Sequence, residues 1–190
     1  MLKKIIKTVT TMLADREYNI IKEVDPFGLD MLIVICALKT NEEDHKEEEE
    51  EDKLFVFFPR EPKLSIKTKR QILKKINFDG SLSTRVIFVT ARGSTSFASK
   101  EIALNDRQQM FRYDELVVPV VQHHLVPKHR LLSTDEVKKL FPSKKYKQEL
   151  PRINTTDAVV KYLGLCIDDV IEISRIGIEG NTYKFYRIVS

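Results

Sequence analysis

The sequence is poor in the residues that hold a disulfide framework or cross a membrane. Its two cysteines, Cys36 and Cys166, lie far apart, each in or beside an apolar stretch, which excludes a disulfide-rich scaffold and predicts buried, reduced thiols. The longest apolar run, Met31 to Leu38, is well short of the roughly 20 residues that span a bilayer. The start, MLKKIIKTVTTML, has no small-residue cleavage site, so we predict a soluble protein that is not secreted.

Groups for catalysis or metal binding are also scarce. His123, His124 and His129 are close in sequence, but no CxxC or HxxxH pair accompanies them, so loop and strand positions explain them better than zinc ligation. The segment from Gln148 to Gly164 has clear turn and helix signals yet no nucleophile and no paired catalytic acids. The sequence therefore predicts no catalytic residue, no metal site and no cofactor.

Negative charge is concentrated in one segment, whereas positive charge is spread along the chain. Residues 41–52, NEEDHKEEEEED, hold nine acids and one lysine. Without them the chain has 31 basic and 19 acidic residues, a balance of +12 against +4 for the whole. Such a run of like charge predicts a solvated loop. The basic remainder suits a protein near phosphates, although a generic basic protein with one acidic loop fits the charge equally well.

The first part of the chain predicts a sheet covered by helices. Apolar residues at helical spacing from Leu2 to Leu13 predict an amphipathic helix. Apolar runs at 29–38, 54–58 and 84–90 predict three buried strands, and QMFRYD, from 109 to 114, predicts a fourth. Between them the sequence predicts a basic helix and a turn that feeds a short helix. Continuous apolar strands alternating with helices predict a three-layer α/β/α domain with a mixed sheet.

The pattern changes near His124, where a smaller α+β unit is predicted. Ser133 and Glu136 have the spacing of a capping box, which starts a helix that ends near Leu140. Asp157 is placed to cap the helix AVVKYL and Gly164 to end it. Two strands with a turn at 177–181 follow as a hairpin. We therefore predict an α+β protein with two domains, residues 1–122 and 123–190.

Several segments carry a family resemblance. In the second domain they are LVPKHRLLSTDEV, LPRI, DAVVKYLGL and YRIV, all within residues 124–189. Together they resemble the assembly domain of the fifth subunit common to the eukaryotic nuclear RNA polymerases, which has a counterpart in the archaeal polymerase. In the first domain, LFVFFPREPKLSIKT and TRVIFVTARGSTSFASK, at 54–68 and 84–100, resemble the jaw domain that eukaryotic and some large DNA-virus versions carry.

The resemblance implies a non-catalytic subunit of a DNA-directed RNA polymerase. The jaw domain would lie beside downstream duplex DNA, and the assembly domain would pack on the largest subunit. The resemblance also implies a nuclear location for a cellular protein, and the virion or the host cytoplasm or nucleus for one encoded by a large DNA virus.

Residue chemistry and the resemblance together indicate a docking surface in the second domain. Arg152 lies between Pro151 and Ile153, and its planar guanidinium can reach carboxylates or carbonyl groups of a partner. Tyr162 flanks the turn at Gly164. The alternative is that the apolar residues of this stretch, Leu150, Ile153, Val160 and Leu163, fill the domain's own core. The predicted partner-binding residues are Pro127, His129, Pro151, Arg152, Ile153, Tyr162, Arg175, Tyr186 and Arg187.

In the first domain, ARGSTSFASK places hydroxyls and cations at a predicted helix start. Free backbone N–H groups, hydroxyls and cations suit a phosphate and give no information about base sequence. Ordinary capping by Ser94 or Thr95 is the simpler interpretation and is compatible with a phosphate contact. The predicted DNA-contacting residues are Arg92, Ser94, Thr95, Ser96 and Lys100, and we expect weak, salt-sensitive binding.

Three departures from the family pattern are typical of a divergent lineage, such as a large DNA virus that encodes its own polymerase. Ala158 stands where the family has the proline of an Asp-Pro helix start. The turn at 166–169 is acidic where the family's is basic, and residues 176–178 replace a polar hairpin sequence with Ile-Gly-Ile. Contacts made by that turn and that hairpin in the family therefore do not transfer to this chain.

Two rival functions compete with the polymerase interpretation. Glu61 and Lys63, with Asp30 upstream, resemble the Asp, Glu and Lys of a metal-dependent nuclease. Pro59 and Pro62 bracket that triplet in a predicted loop, which favours charged residues bordering a turn. A free-standing basic DNA-binding protein is the second rival, and the sequence shows no recognition helix, zinc site or RNA-binding aromatic signature for it.

Overall fold

The computed structural model describes residues 1–23, 31–39, 52–78, 84–177 and 179–190, which form two compact units, Met1–Val118 and Pro119–Ser190. Each unit has its own sheet and helices, which confirms the α+β class. The division lies earlier in the chain than the predicted boundary at 122. The reason is a 3₁₀ helix, Val120–Gln122, which packs on a helix of the second unit.

The N-terminal unit is built around a five-stranded mixed sheet in the order β1-β2-β3-β4-β5. β1, β2 and β3 are antiparallel neighbours, whereas β4 runs parallel to both β3 and β5. Its elements are α1 (Leu2–Asp15), β1 (Tyr18–Glu23), β2 (Met31–Lys39), β3 (Lys53–Pro59), α2 (Ile66–Lys75), β4 (Thr84–Thr90), α3 (Ser96–Ala103), β5 (Gln108–Arg112) and α4 (Tyr113–Leu116).

The sheet's central strands are apolar on both faces because helices lie on both sides. Phe57 of β3 and Phe88 of β4 stack with ring centroids 6.2 Å apart, in a cluster with Ile72 of α2 and Ile102 of α3. α1 lies on the opposite face, where its C-cap residue Arg16 donates from Nη2 to Oε1 of Gln109 at 2.9 Å. Side chains alternate along a strand, so residues beside Phe57 and Phe88 point toward α1.

The acidic run predicted as a solvated loop has one described member. Residues 41–51 lie outside the described part of the chain. Asp52 accepts a hydrogen bond from the Tyr18 hydroxyl at 2.6 Å and lies 3.7 Å from the Nε of Arg85. Burial, and next the hydrogen bond to Asp52, raise the pKa of Tyr18 well above its usual range. Asp52 therefore belongs to the packed unit.

The C-terminal unit has a four-stranded sheet in the order β6-β8-β9-β7. β8 and β9 form the predicted hairpin, and the short β7 pairs with β9 in parallel. After the 3₁₀ helix, its elements are β6 (Lys128–Leu131), α5 (Thr134–Leu140), α6 (Lys144–Gln148), β7 (Arg152–Ile153), α7 (Ala158–Leu163), β8 (Val170–Ile176) and β9 (Thr182–Val189).

The helix signals predicted for this unit are confirmed by hydrogen bonds. Ser133 and Glu136 form the reciprocal capping box of α5. One carboxylate oxygen of Asp157 accepts from the amides of Val159 at 2.9 Å and Val160 at 3.3 Å. Gly164 ends α7 in the left-handed region, with φ 68°. The basic stretch after Pro142, for which no helix was predicted, forms the short helix α6, and the Ser143 hydroxyl caps it.

No helix in the described ranges is long and apolar enough to cross a membrane. Neither Cys36 nor Cys166 forms a disulfide with a described residue, and both are half-buried, where the sequence predicted buried thiols.

Candidate functional site

The starts of α2 and α3 lie side by side because the segments before them pair in parallel. Leu64 and Ser94 form a parallel bridge. The Leu64 amide donates to the carbonyl oxygen of Gly93 at 2.8 Å, and the Thr95 amide donates to that of Leu64 at 3.0 Å. A third bond joins the Arg92 amide to the carbonyl oxygen of Pro62 at 2.7 Å. Two consecutive strand-to-helix connections thus form one edge of the unit.

Each helix start has a hydroxyl cap. The Ser65 side chain accepts from the Thr68 amide at 3.2 Å, and the Thr95 side chain accepts from the Ala98 amide at 3.4 Å. Thr95 therefore has the ordinary capping role. Gly93, with φ 78°, turns the chain into this cap, and its carbonyl oxygen accepts from the Thr90 hydroxyl at 2.8 Å.

The five residues predicted to contact DNA are collected around the start of α3. Arg92 precedes the turn, Ser94 lies in the bridge, and Ser96 is the first helical residue. Lys100 follows one turn later. Arg92, Ser96 and Lys100 are exposed, whereas Ser94 and Thr95 are half-buried. The arrangement can present two cations and a hydroxyl to an anion.

Other cations of this region hold the two helices together. Lys69 of α2 is 3% exposed and lies 3.1 Å from Glu101 of α3, and Arg70 pairs with the same carboxylate. Hydrogen bonds from Arg70 and Lys69 hold the pKa of Glu101 below its usual range. These two cations are structural, and the sequence signal for them was no more than a basic helix.

The nuclease triplet is not assembled in the described part of the chain. Glu61 and Lys63 lie in an exposed bend after β3, and the Glu61 carboxylate accepts from the Thr68 hydroxyl at 3.0 Å. Asp30 lies outside the described residues. Among the described residues, no group of three or more His, Cys, Asp or Glu side chains is placed to hold a metal ion.

In the C-terminal unit the LPRI segment is held at a sheet edge. The Ile188 amide donates to the carbonyl oxygen of Pro151 at 3.0 Å, and the Ser190 amide to that of Ile153 at 2.9 Å. Arg187 donates from Nη1 to the carbonyl oxygen of Arg152 at 3.2 Å. The backbone of Arg152 is thereby fixed while its side chain is exposed.

The remaining predicted docking residues are distributed over the same sheet. The Nδ1 of His129 lies 2.7 Å from the carbonyl oxygen of Pro127, which orients the ring on β6. Arg175 lies over the Phe185 ring, 5.3 Å from its centroid. The ring of Tyr186 meets Phe141 edge to face, with centroids 5.5 Å apart.

Comparison with known proteins assigns the chain to a family. The family model described as RNA polymerase Rpb5, C-terminal domain, matches residues 118–189. Over 200 residues the chain is 32% identical to a relative from Dictyostelium discoideum named DNA-directed RNA polymerases I, II, and III subunit rpabc1, covering 98% of this chain and 96% of the relative. The chain belongs to the Rpb5 family.

Two further relatives agree with this assignment. RPABC1 of Caenorhabditis elegans, named a subunit of the same three polymerases, is 30% identical over 98% of this chain and 94% of its own length. The Arabidopsis thaliana DNA-directed RNA polymerase subunit 5-like protein 1 is 29% identical over 97% of this chain and 93% of its own length. The similarity to Rpb5-family proteins therefore includes both units, and the predicted family is confirmed.

One residue of the predicted Rpb5 docking set is buried in its own unit. Tyr162 is 3% exposed and lies on α7 with Val159 and Val160, which are also buried. Its burial places Tyr162 in the core, a role that was expected only for the apolar residues of this stretch. Sequence alone could not separate the two roles, because a tyrosine before a helix-ending glycine suits either one.

A buried carboxylate in the Rpb5-like sheet was missed. Glu172 of β8 is 7% exposed and lies 3.1 Å from Lys184 and 3.4 Å from Arg130. Burial raises the pKa of Glu172, but the hydrogen bond and charge of Lys184, with Arg130, outweigh burial and lower it overall. The alternation of Glu172 with Ile171 and Ile173 in DVIEISRI predicts an acid on the solvent face of the strand, so no local pattern signalled its burial.

Proposed function

We propose that the chain is a non-catalytic subunit of a multisubunit DNA-directed RNA polymerase. The observation that carries this proposal is the match along 98% of the chain to relatives named as subunits shared by three polymerases. The C-terminal unit docks on the largest subunit, and the N-terminal unit supports downstream duplex DNA. The site of action is the nucleus for a cellular polymerase, and the virion or the host cell for a viral one.

The LPRI edge supports the docking role. Arg152 presents an exposed guanidinium on a backbone fixed by three hydrogen bonds around it, so little backbone freedom remains to be lost on binding. Arginine and aromatic residues dominate protein interfaces energetically. Arg175 and Tyr186 add such groups elsewhere on the same sheet.

The docking proposal is tested by reversing one charge. Arg152→Glu should lower recovery of the chain with the largest subunit by about tenfold in co-purification, because losing an interface arginine costs more than 1 kcal/mol. The control is Arg92→Glu, a charge reversal at another exposed arginine, in the N-terminal unit, which should co-purify normally. Normal recovery of the Arg152 variant would rule out its docking role.

The exposed edge at α2 and α3 supports the DNA role. Arg92 and Lys100 flank a hydroxyl-capped helix start, and each phosphate contact by an exposed cation stabilises by on the order of 1 kcal/mol or less at physiological salt. Such contacts are independent of base sequence.

Replacing both Arg92 and Lys100 with alanine tests this role. Assembly and nucleotide addition on short scaffolds should be unchanged, whereas complexes with long downstream duplex should dissociate at lower salt, equally on unrelated DNA sequences. The measurement is a salt titration of complex lifetime on long and trimmed duplexes. A defect that persists on the trimmed duplex, or no defect on the long one, would show that these side chains do not act through downstream DNA.

A further inference from the structure

A groove opens between α5 and α6 of the C-terminal unit, with a volume of about 420 Å³. Its floor is anchored, because Phe141 and Leu150 pack against the buried cluster of Leu132, Val170 and Ile188. Its walls are apolar and accessible: Leu140 is 47% exposed and Tyr146 59%. Pro142 and Glu149 complete the lining.

The groove exists because the chain turns sharply between the two helices. α5 ends at Leu140, Pro142 follows, and the Ser143 hydroxyl accepts from the Lys145 amide at 3.3 Å to start α6. The contact of Phe141 with the Tyr186 ring fixes the corner to the sheet. The groove is therefore part of the folded unit, and an apolar ligand group can enter it without first ordering the chain.

The segment that forms the groove is strongly basic. Residues 138–149, KKLFPSKKYKQE, contain five lysines and one acid, Glu149. Lys139 and Lys145 flank lining residues, are exposed, and form no ion pair with the described part of the chain. Lys138 has one exposed partner, Asp135, at 3.6 Å. This charge favours an anionic ligand, and the apolar lining requires that the ligand also carry large apolar groups.

We propose that this groove docks an acidic, amphipathic segment of a partner protein. Apolar side chains of the segment occupy the space between Leu140 and Tyr146, and its carboxylates face Lys139 and Lys145. A helix with anchors at i, i+3 and i+4 has this distribution of groups. The groove adjoins the LPRI segment, since Leu150 belongs to both, but Arg152, the proposed contact to the largest subunit, does not line it.

An acidic ligand without apolar side chains would leave the apolar lining of the groove without contacts. The chain's own acidic stretch, NEEDHKEEEEED at 41–52, has no apolar side chain to place in the groove. A nucleic acid carries a charge on every nucleotide and would meet the Glu149 carboxylate in the lining. A peptide can place an apolar side chain there instead.

Fluorescence anisotropy with the full-length chain and a labelled peptide, EEDLEEFLDDE, tests the proposal. Binding should be saturable and should weaken with salt. Two control peptides, EEDSEESSDDE and the chain's own NEEDHKEEEEED, keep acidic charge but lack the anchors, and they should bind at least about tenfold more weakly.

Variants locate the binding site. Tyr146→Ser should weaken binding of the anchored peptide by about tenfold, and Lys139→Glu with Lys145→Glu by a similar factor. These side chains are exposed, so the fold should be retained. Glu149→Gln should tighten binding by about threefold, since a like charge is removed. Leu104→Ser, at a residue 86% exposed in the N-terminal unit, is the matched control and should change nothing.

The proposal is overturned if the anchored peptide does not bind saturably, if the control peptides bind equally well, or if Tyr146→Ser has no effect. Displacement of the peptide by a single-stranded oligonucleotide at equal or lower concentration would assign the groove to nucleic acid instead. Because the assay contains no polymerase subunit or template, its failure leaves the proposed docking and DNA roles untouched, and their failure leaves this result untouched.

Discussion

Asp52, the last acid of the 41–52 run, is bound by two side chains of the N-terminal unit. One carboxylate oxygen accepts a hydrogen bond from the Tyr18 hydroxyl and lies 3.7 Å from the Nε of Arg85. The other is buried with no hydrogen-bond partner among the described residues. Tyr18 itself is 5% exposed. Asp52 therefore links the start of β3 to β1 through its hydrogen bond with Tyr18. Its position at the end of a run of acids gives no indication of this role.

This contact divides the acidic run into two parts with different effects on stability. Replacing residues 41–51 with a Gly/Ser linker should change the free energy of unfolding by less than about 0.5 kcal/mol, because a run of like charges is not expected to pack. Extending the replacement through Asp52 should lower it by about 1–3 kcal/mol, since the buried Tyr18 hydroxyl loses its acceptor. Urea unfolding of the two variants measures the difference. Equal stability would mean that the Tyr18 contact contributes nothing.

At the scale of the element, the start of α7 has a capping aspartate but no proline at the first helical position. Asp157 has φ −58° and ψ 138°, which is a conformation that a following proline favours. Ala158 is exposed and occupies the first helical position, where an amide has no partner within the helix.

Ala158→Pro should therefore stabilise the protein by about 0.4–1 kcal/mol, because proline reduces the freedom of the unfolded chain without cost to the helix. Thermal or urea unfolding measures the change.

The neighbouring substitution Val159→Pro is the control for Ala158→Pro. It removes an amide that donates to Asp157 at 2.9 Å, and it should be destabilising. If Ala158→Pro is also destabilising, the backbone at this helix start differs from the one described.

Elements with a strong local signal in the sequence were predicted, and elements with a weak signal were missed. The apolar runs of β3 and β4, the capping box at Ser133 and the Asp157–Gly164 helix are all confirmed. β1, at an edge of the sheet, was missed because YNIIKE mixes polar and apolar residues without a clear period. β7 has two residues and exists only through its pairing with β9. α6 has five residues after a proline, a length at which tertiary contacts outweigh propensity.

The candidate sites were predictable to the extent that they are local. The residues around α3 are neighbours in sequence, so one segment revealed them. Their pairing with the start of α2 depends on a bridge between residues 30 positions apart, Leu64 and Ser94, which no local pattern encodes. The groove between α5 and α6 was missed because its floor is created by packing of Phe141 and Leu150 on a distant hairpin.

At the scale of the whole molecule, the division into two units makes a prediction about fragments. Residues 119–190 should fold alone and be incorporated into polymerase, since this unit has its own sheet and core. A fragment that starts at residue 125 lacks the 3₁₀ helix that packs on α7, and it should be less stable and recovered less well. Co-expression with the other polymerase subunits and recovery in the assembled complex measure both.

The full-length chain is the reference for this comparison. If neither fragment is retained but the full chain is, the N-terminal unit takes part in docking. If both fragments are retained equally, the 3₁₀ helix is not needed.

The paired connections before α2 and α3 constrain how this chain can change in length over evolution. The two connections are joined by backbone hydrogen bonds at Pro62, Leu64, Arg92 and Thr95. A residue added to one connection would therefore move its N–H donors away from the carbonyl acceptors of the other. A viable insertion in one connection would therefore have to be accompanied by a matching insertion in the other, or by loss of the bridge and of the alignment of both helix starts. Related chains with a longer segment between β3 and α2 are accordingly expected to have a longer segment between β4 and α3 as well.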